Sequence, residues 1–158
     1  MNLLLKAGKE ISTPETYRKG EDFESYVRQH LFPKDKYILL DKTHNYASNR
    51  DDFVESTKNP DFKFKSPNGI TFFIEAKFRS GYFNDKIEWG KPYQLWRYRK
   101  INRQTPVYVV IGVGANPSNP DQLYLIPVKN IPYTGLFPSF LRQYELPPRK
   151  CVPEALLT

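Results

Sequence analysis

The segment 59–78, NPDFKFKSPNGITFFIEAKF, constrains this chain more than any other. Phe62 and Phe64 alternate with Asp61, Lys63 and Lys65. After Ser66-Pro67-Asn68-Gly69, Ile70, Phe72, Ile74 and Ala76 alternate with Thr71, Phe73, Glu75 and Lys77. Period-two alternation on both sides of a turn-forming tetrapeptide predicts a β-hairpin. Its register decides the chemistry, because a slip of one residue turns every side chain to the opposite face. A tight closure, with Lys65 opposite Ile70, sets Asp61 opposite Ile74 and points Glu75 away. Matching the polar faces sets Asp61 opposite Glu75, at the cost of one extra loop residue or a bulge, and bulges are common beside active sites. We expect the polar-face register. Directly opposed residues have Cβ atoms about 4.5–5.5 Å apart. Two carboxylates at that distance can share a hard cation, with oxygens roughly 2.0–2.1 Å from Mg²⁺. Lys77, two positions beyond Glu75, presents its amine on the same face.

Helical periodicity frames the hairpin. Ser12 and Glu15, with Pro14 between them, have capping-box spacing. Phe23, Tyr26, Val27, His30 and Leu31 then recur on one apolar face, which predicts a helix over 14–31. Gly20 interrupts or restarts it, and Phe32-Pro33 ends it. Glu24 lies on the flank of the apolar face, where spacing alone reads it as a solvated acid. A second helix starts near Gly90 and Pro92. Gln94 and Tyr98 are four apart and share a face, with Lys91 and Ile101 near it. A core tyrosine with an incidental glutamine is the alternative to a functional pair.

Between these elements, 36–41 reads as a strand, and the polar stretch 42–58 as a mobile loop holding Asp51, Asp52 and Glu55. Residues 107–113 are almost continuously apolar, as in a strand buried on both faces. Residues 123–128 form a further strand, expected at a sheet edge because Pro127 cannot donate to a ladder. The length of 158 residues suits one domain. Its core is expected over 1–128, with the proline-rich 129–158 an extension packed on, or docking from, the same domain.

Charge points to a polyanionic partner. The chain holds 24 Lys and Arg against 17 Asp and Glu, a formal net charge of +7. Basic residues concentrate between Lys77 and Arg103, among them Arg79, Lys86, Lys91, Arg97, Arg99 and Lys100. Tyr82, Phe83, Trp89, Tyr93 and Trp96 are interleaved with them. Such a strip neutralises phosphates while its rings stack on bases or wedge a duplex. Other chemistries are excluded. A single cysteine, Cys151, allows no intramolecular disulfide and no cysteine-built zinc site, and two histidines make no histidine-rich centre. His30 reads as a packed core residue and His44 as a loop residue without a nucleophile. Gly112 to Pro117 lacks the Gly-Lys-Ser/Thr of a phosphate loop and reads as a turn. No apolar run is long enough for a signal or a membrane span, so a cytoplasmic protein is expected.

Pro60-Asp61 followed by Glu75-Ala76-Lys77 resembles the motif of the PD-(D/E)XK, or restriction-endonuclease-like, nuclease superfamily. Three further features stand in that family's order: the acidic helix around Gly20–Val27, the Gln94-to-Tyr98 helix similar to the Gln-any-any-any-Tyr helix of the lambda-exonuclease and RecB-type branches, and the strand that follows it. The resemblance covers roughly residues 15 to 128. It implies an α/β fold with a restriction-endonuclease-like core, a central mixed β-sheet flanked by helices in the order αβββαβ plus an edge strand. It further implies a metal-dependent deoxyribonuclease in which Asp61, Glu75 and the Ala76 carbonyl hold Mg²⁺ or Mn²⁺. Glu24 would orient a metal-bound water, and Lys77 would position the attacking water or stabilise charge. Neighbouring carboxylates favour the ammonium form of a lysine, so a general-base role suits Lys77 less. Gln94, Tyr98, Lys91, Arg79 and Arg97 would contact the DNA backbone. A homodimer or a partner subunit is compatible with this, since cutting both strands of a duplex calls for two sites. The competing readings are a non-catalytic DNA-binding module on the same fold, a Holliday-junction resolvase-like enzyme and a restriction endonuclease subunit.

Overall fold

The computed structural model of the chain describes residues 14–43 and 59–157. Helix α1 spans Pro14–Tyr26 and runs through Gly20 without a break. Its last turn, Val27–Leu31, widens to π geometry and closes with the Phe32 amide donating to the Val27 carbonyl at 2.9 Å. The wide turn has a packing cause: Val27, Leu31 and Phe32 are all fully buried, and a regular helix would carry one of them off the core face. His30, expected in the core, is half-buried with its ring on Tyr26 at 4.8 Å.

Strands β1 (Ile38–Lys42), β2 (Phe62–Lys65) and β3 (Thr71–Arg79) form an antiparallel meander. A short β4 (Ile87–Glu88) and helix α2 (Pro92–Asn102) lead to β5 (Val107–Val113), parallel to β3. Strand β6 (Gln122–Pro127) returns antiparallel to β5. After β7 (Gly135–Leu136) and the single-turn helix α3 (Pro138–Leu141), β8 (Glu145–Leu146) joins the far side of β6. The result is a six-stranded mixed sheet in the order β1-β2-β3-β5-β6-β8, with β4 and β7 as a separate pair.

A hydrophobic core lies on each face of the sheet, while β1 at its edge stays largely exposed. On one, α1 and its π turn set Phe23, Tyr26, Leu31 and Phe32 against Phe64, Phe72, Ile74 and Val110. On the other, α2 brings Leu95 and Tyr98 onto Phe73, Val109, Ile111 and Ile126. The face of the hairpin that alternation marks as polar is thus a second core wherever it carries Phe73. The described part of the extension, 129–157, wraps both sides: Ile131, Leu136 and Leu141 enter the α2 core, and Leu146, Val152 and Leu157 the α1 core.

The edge position expected for β6 is corrected, because β8 pairs Leu123 with Leu146 and Tyr124 with Glu145. The pairing stops well short of Pro127, so the missing N–H falls where no β8 residue needs it. Strand 107–113 includes Gly112, so the expected turn begins only after it. Ser12, His44, Asp51, Asp52 and Glu55, and most of the stretch 42–58, lie outside the described residues.

Candidate active site

The hairpin adopts the polar-face register. Phe62 pairs with Ile74, Phe64 with Phe72 and Lys65 with Thr71, which sets Asp61 opposite Glu75 one step beyond the last paired residues. The extra loop residue is accommodated by a turn over 66–70. There the Ser66 amide donates to the Ile70 carbonyl at 2.8 Å, and the Ile70 amide to Ser66 Oγ at 2.9 Å. One further step sets Pro60 opposite Ala76, and here proline matters. It has no N–H to give the Ala76 carbonyl, so the ladder ends. The Ala76 amide donates instead to Asp61 Oδ2 at 2.8 Å, and the Asp61 amide donates to Glu75 Oε1 at 3.2 Å. The Pro60 carbonyl accepts from Thr43 Oγ1 at 2.6 Å, which pins the chain at the break.

Because β2 begins at Phe62, β3 continues past it with one edge open. A cleft of about 490 Å³ runs along that edge. Its walls include Asp61, Glu75, Ala76 and Lys77 from the sheet, and Gly20 and Glu24 from α1. Lys77 Nζ lies 3.2 Å from Glu75 Oε2. Glu24 reaches the cleft because Phe23, its neighbour, packs on Phe78 at 5.6 Å and seats α1 against β3. Its Oε1 is paired with Lys42 Nζ at 3.1 Å.

The electrostatics are those of crowded carboxylates. Burial first, then the charges of Glu75 and Glu24, holds the Asp61 carboxyl well above its ordinary range, against the Ala76 amide and Lys77. Glu24 is raised by burial, with Lys42 opposing and Glu75 adding to the rise. Among the described residues, no group of three or more His, Cys, Asp or Glu side chains is already arranged to hold a metal ion. The donor chemistry nonetheless fits Mg²⁺. That ion takes oxygen ligands, keeps several waters and needs only one or two carboxylates from the protein. Two carboxylates meet at the strand break, and the adjacent carbonyl has lost its ladder donor.

The expected nucleic-acid contacts divide. Tyr98 is only 2 % exposed: it stacks near Trp89, and its hydroxyl hydrogen-bonds Glu75. A contact with DNA backbone is replaced there by support of a site carboxylate. Arg79 gives its guanidinium to the carbonyls of Phe78, Glu88 and Trp89 at 2.8–3.0 Å, which anchors β4 to the end of β3. Gln94 Oε1 accepts from the Lys91 amide at 3.0 Å and caps α2. Arg97 lies over the Tyr93 ring. Of the interleaved aromatics, Trp89 is fully buried and donates to the Tyr133 carbonyl at 3.2 Å, whereas Tyr82, Phe83, Tyr93 and Trp96 are exposed. Lys42 is a site neighbour that periodicity does not mark; its only sequence signal is a cation at the end of a strand. No family model, curated protein or solved structure matches the chain. Among the described residues, no helix is long and apolar enough to cross a membrane.

Proposed function

We propose that the chain is a Mg²⁺- or Mn²⁺-dependent nuclease of the PD-(D/E)XK kind, hydrolysing DNA phosphodiester bonds on a restriction-endonuclease-like core. One observation carries the reading: Asp61 and Glu75 meet across the end of the β2–β3 ladder, with Lys77 3.2 Å from Glu75, in the wall of an open cleft. The mixed sheet flanked by helices, and the excess of basic residues, support it.

Asp61, Glu75 and the Ala76 carbonyl would hold the divalent cation, with Glu24 acting through water. When bound, the cation supplies Lewis-acid polarisation of the phosphoryl oxygens and a more acidic water. The side chains do the rest. Lys77, 3.2 Å from Glu75, orients the attacking water and offsets charge on the phosphoryl oxygens. Tyr98 fixes the Glu75 carboxylate, and Lys42 holds Glu24 at the cleft wall.

A non-catalytic DNA-binding module is favoured by one feature: Glu75 and Glu24 are already paired with lysines, an arrangement complete without a cation. Labelled single-stranded, duplex and branched DNA, incubated with Mg²⁺ or Mn²⁺, separates the two. Cleavage abolished by EDTA and by Glu75→Ala is the expected result. Tight binding without cleavage would favour the module, and Glu75→Ala cleaving as well as wild type would end the nuclease assignment.

A further inference from the structure

Helix α2 has two faces with different tasks. Leu95 and Tyr98 point into the core, and Tyr98 reaches Glu75. On the opposite side, Tyr93, Trp96, Arg97 and Lys100 fall on one stripe at i, i+3, i+4 and i+7. Trp96 is 62 % exposed and Tyr93 51 %. Each ring carries a cation four residues on: Lys100 Nζ lies 4.3 Å from the Trp96 centroid, and the Arg97 guanidinium 5.4 Å from that of Tyr93. Both rings thus leave half or more of their surface in solvent. The two cations lie beside the rings, and α2 itself contributes no Asp or Glu.

We propose that this outer face of α2 is a stacking platform for single-stranded nucleic acid, with Trp96 and Tyr93 taking bases and Arg97 and Lys100 taking the adjoining phosphates. Stacking accepts any base, because every base presents a π-face, and it requires that the base not already be stacked in a duplex. Acidic side chains would answer the cations but offer no π-face to the rings, so charge and aromaticity together favour the nucleic acid. The inference rests on the nuclease reading and narrows its substrate to strands with unpaired bases.

The test uses binding in EDTA, where cleavage plays no part. Of the two tryptophans, Trp89 is fully buried, so quenching of tryptophan fluorescence by a polymer reports on Trp96. A thymidine homopolymer should quench the emission and bind with a steep salt dependence. Its duplex with the complementary strand should bind more weakly and quench less. Trp96→Ala should weaken single-strand binding on the order of tenfold, Trp96→Phe should retain most of it, and both should melt as wild type does. Undiminished binding by the Trp96→Ala/Tyr93→Ala double variant would overturn the platform, as would equal quenching by polyglutamate. Trp96-dependent binding without metal-dependent cleavage would leave the platform standing and remove the nuclease. Cleavage with Trp96-independent binding would do the reverse.

Discussion

Tyr98 and Glu75 are joined by a hydrogen bond across the packed interface of α2 and β3. Burial, reinforced by the charges of Glu75 and Asp61, pushes the Tyr98 hydroxyl well above its ordinary value, so it remains a donor. A tyrosine of the core thus fixes the orientation of a site carboxylate. Tyr98→Phe leaves a buried charged acceptor with one donor fewer, a loss of about 1.5–3 kcal/mol for bonds to charged groups. We expect a lower melting temperature and a fall in kcat of about tenfold with KM little changed. Unchanged kcat would reduce Tyr98 to a packing residue.

The raised carboxyls of Asp61 and Glu24 make the metal-free protein pH-sensitive in a defined direction. Above the ordinary carboxylate range the folded state keeps protons that the unfolded chain has released, so stability falls as pH rises through the raised values. Thermal melts in EDTA between about pH 4 and pH 8 should show this decline. Asp61→Asn should flatten it and raise the melting temperature near neutrality while abolishing cleavage. A melting temperature that climbs with pH in the wild type would contradict the assignment of these carboxyls.

Gly20 sits inside α1 and in the cleft wall, and a Cβ added there would meet nothing within 4 Å. Packing therefore does not require the glycine, although glycine inside a helix costs roughly 0.5–1 kcal/mol relative to alanine. Gly20→Ala should stabilise the protein by about that amount. Gly20→Met, projecting into the cleft, should lower cleavage severalfold without lowering the melting temperature. Full activity in the methionine variant would show that the polymer does not enter past α1.

Gly112 is the opposite case. A Cβ on this β5 residue would lie 2.3 Å from Phe23 Cε1, and Phe23 is buried. Gly112→Ala must displace α1 or its ring, at a cost of about 1–3 kcal/mol for an overpacked core. Since Glu24 follows Phe23, cleavage should suffer along with stability. Adding Phe23→Leu should recover part of both, a coupling that a double-mutant cycle measures.

The hairpin, its register and the pairing of Asp61 with Glu75 were legible because alternation is a local property. Helix α1 was legible from its apolar stripe, and α2 from Pro92 near its start and the four-residue spacing of Gln94 and Tyr98. The roles of Tyr98, Arg79 and Trp89 were not. An aromatic or an arginine in a basic segment looks the same whether it faces solvent or core. The choice depends on which side of α2 meets the sheet and where the β4 crossover passes.

Residue order alone put Glu75 and Lys77 on one strand face, because side chains alternate along a strand whatever surrounds it, and the hairpin register then set Asp61 opposite Glu75. The fold around the hairpin added the rest. Packing of Phe23 over Gly112 brought Glu24 to the open edge of β3, and burial of Tyr98 gave Glu75 its donor. The Arg79 clamp and the β8 pairing closed off surfaces that composition would have left exposed. These are contacts between residues far apart in the chain, and their energy comes from burial and close packing, which no local pattern encodes.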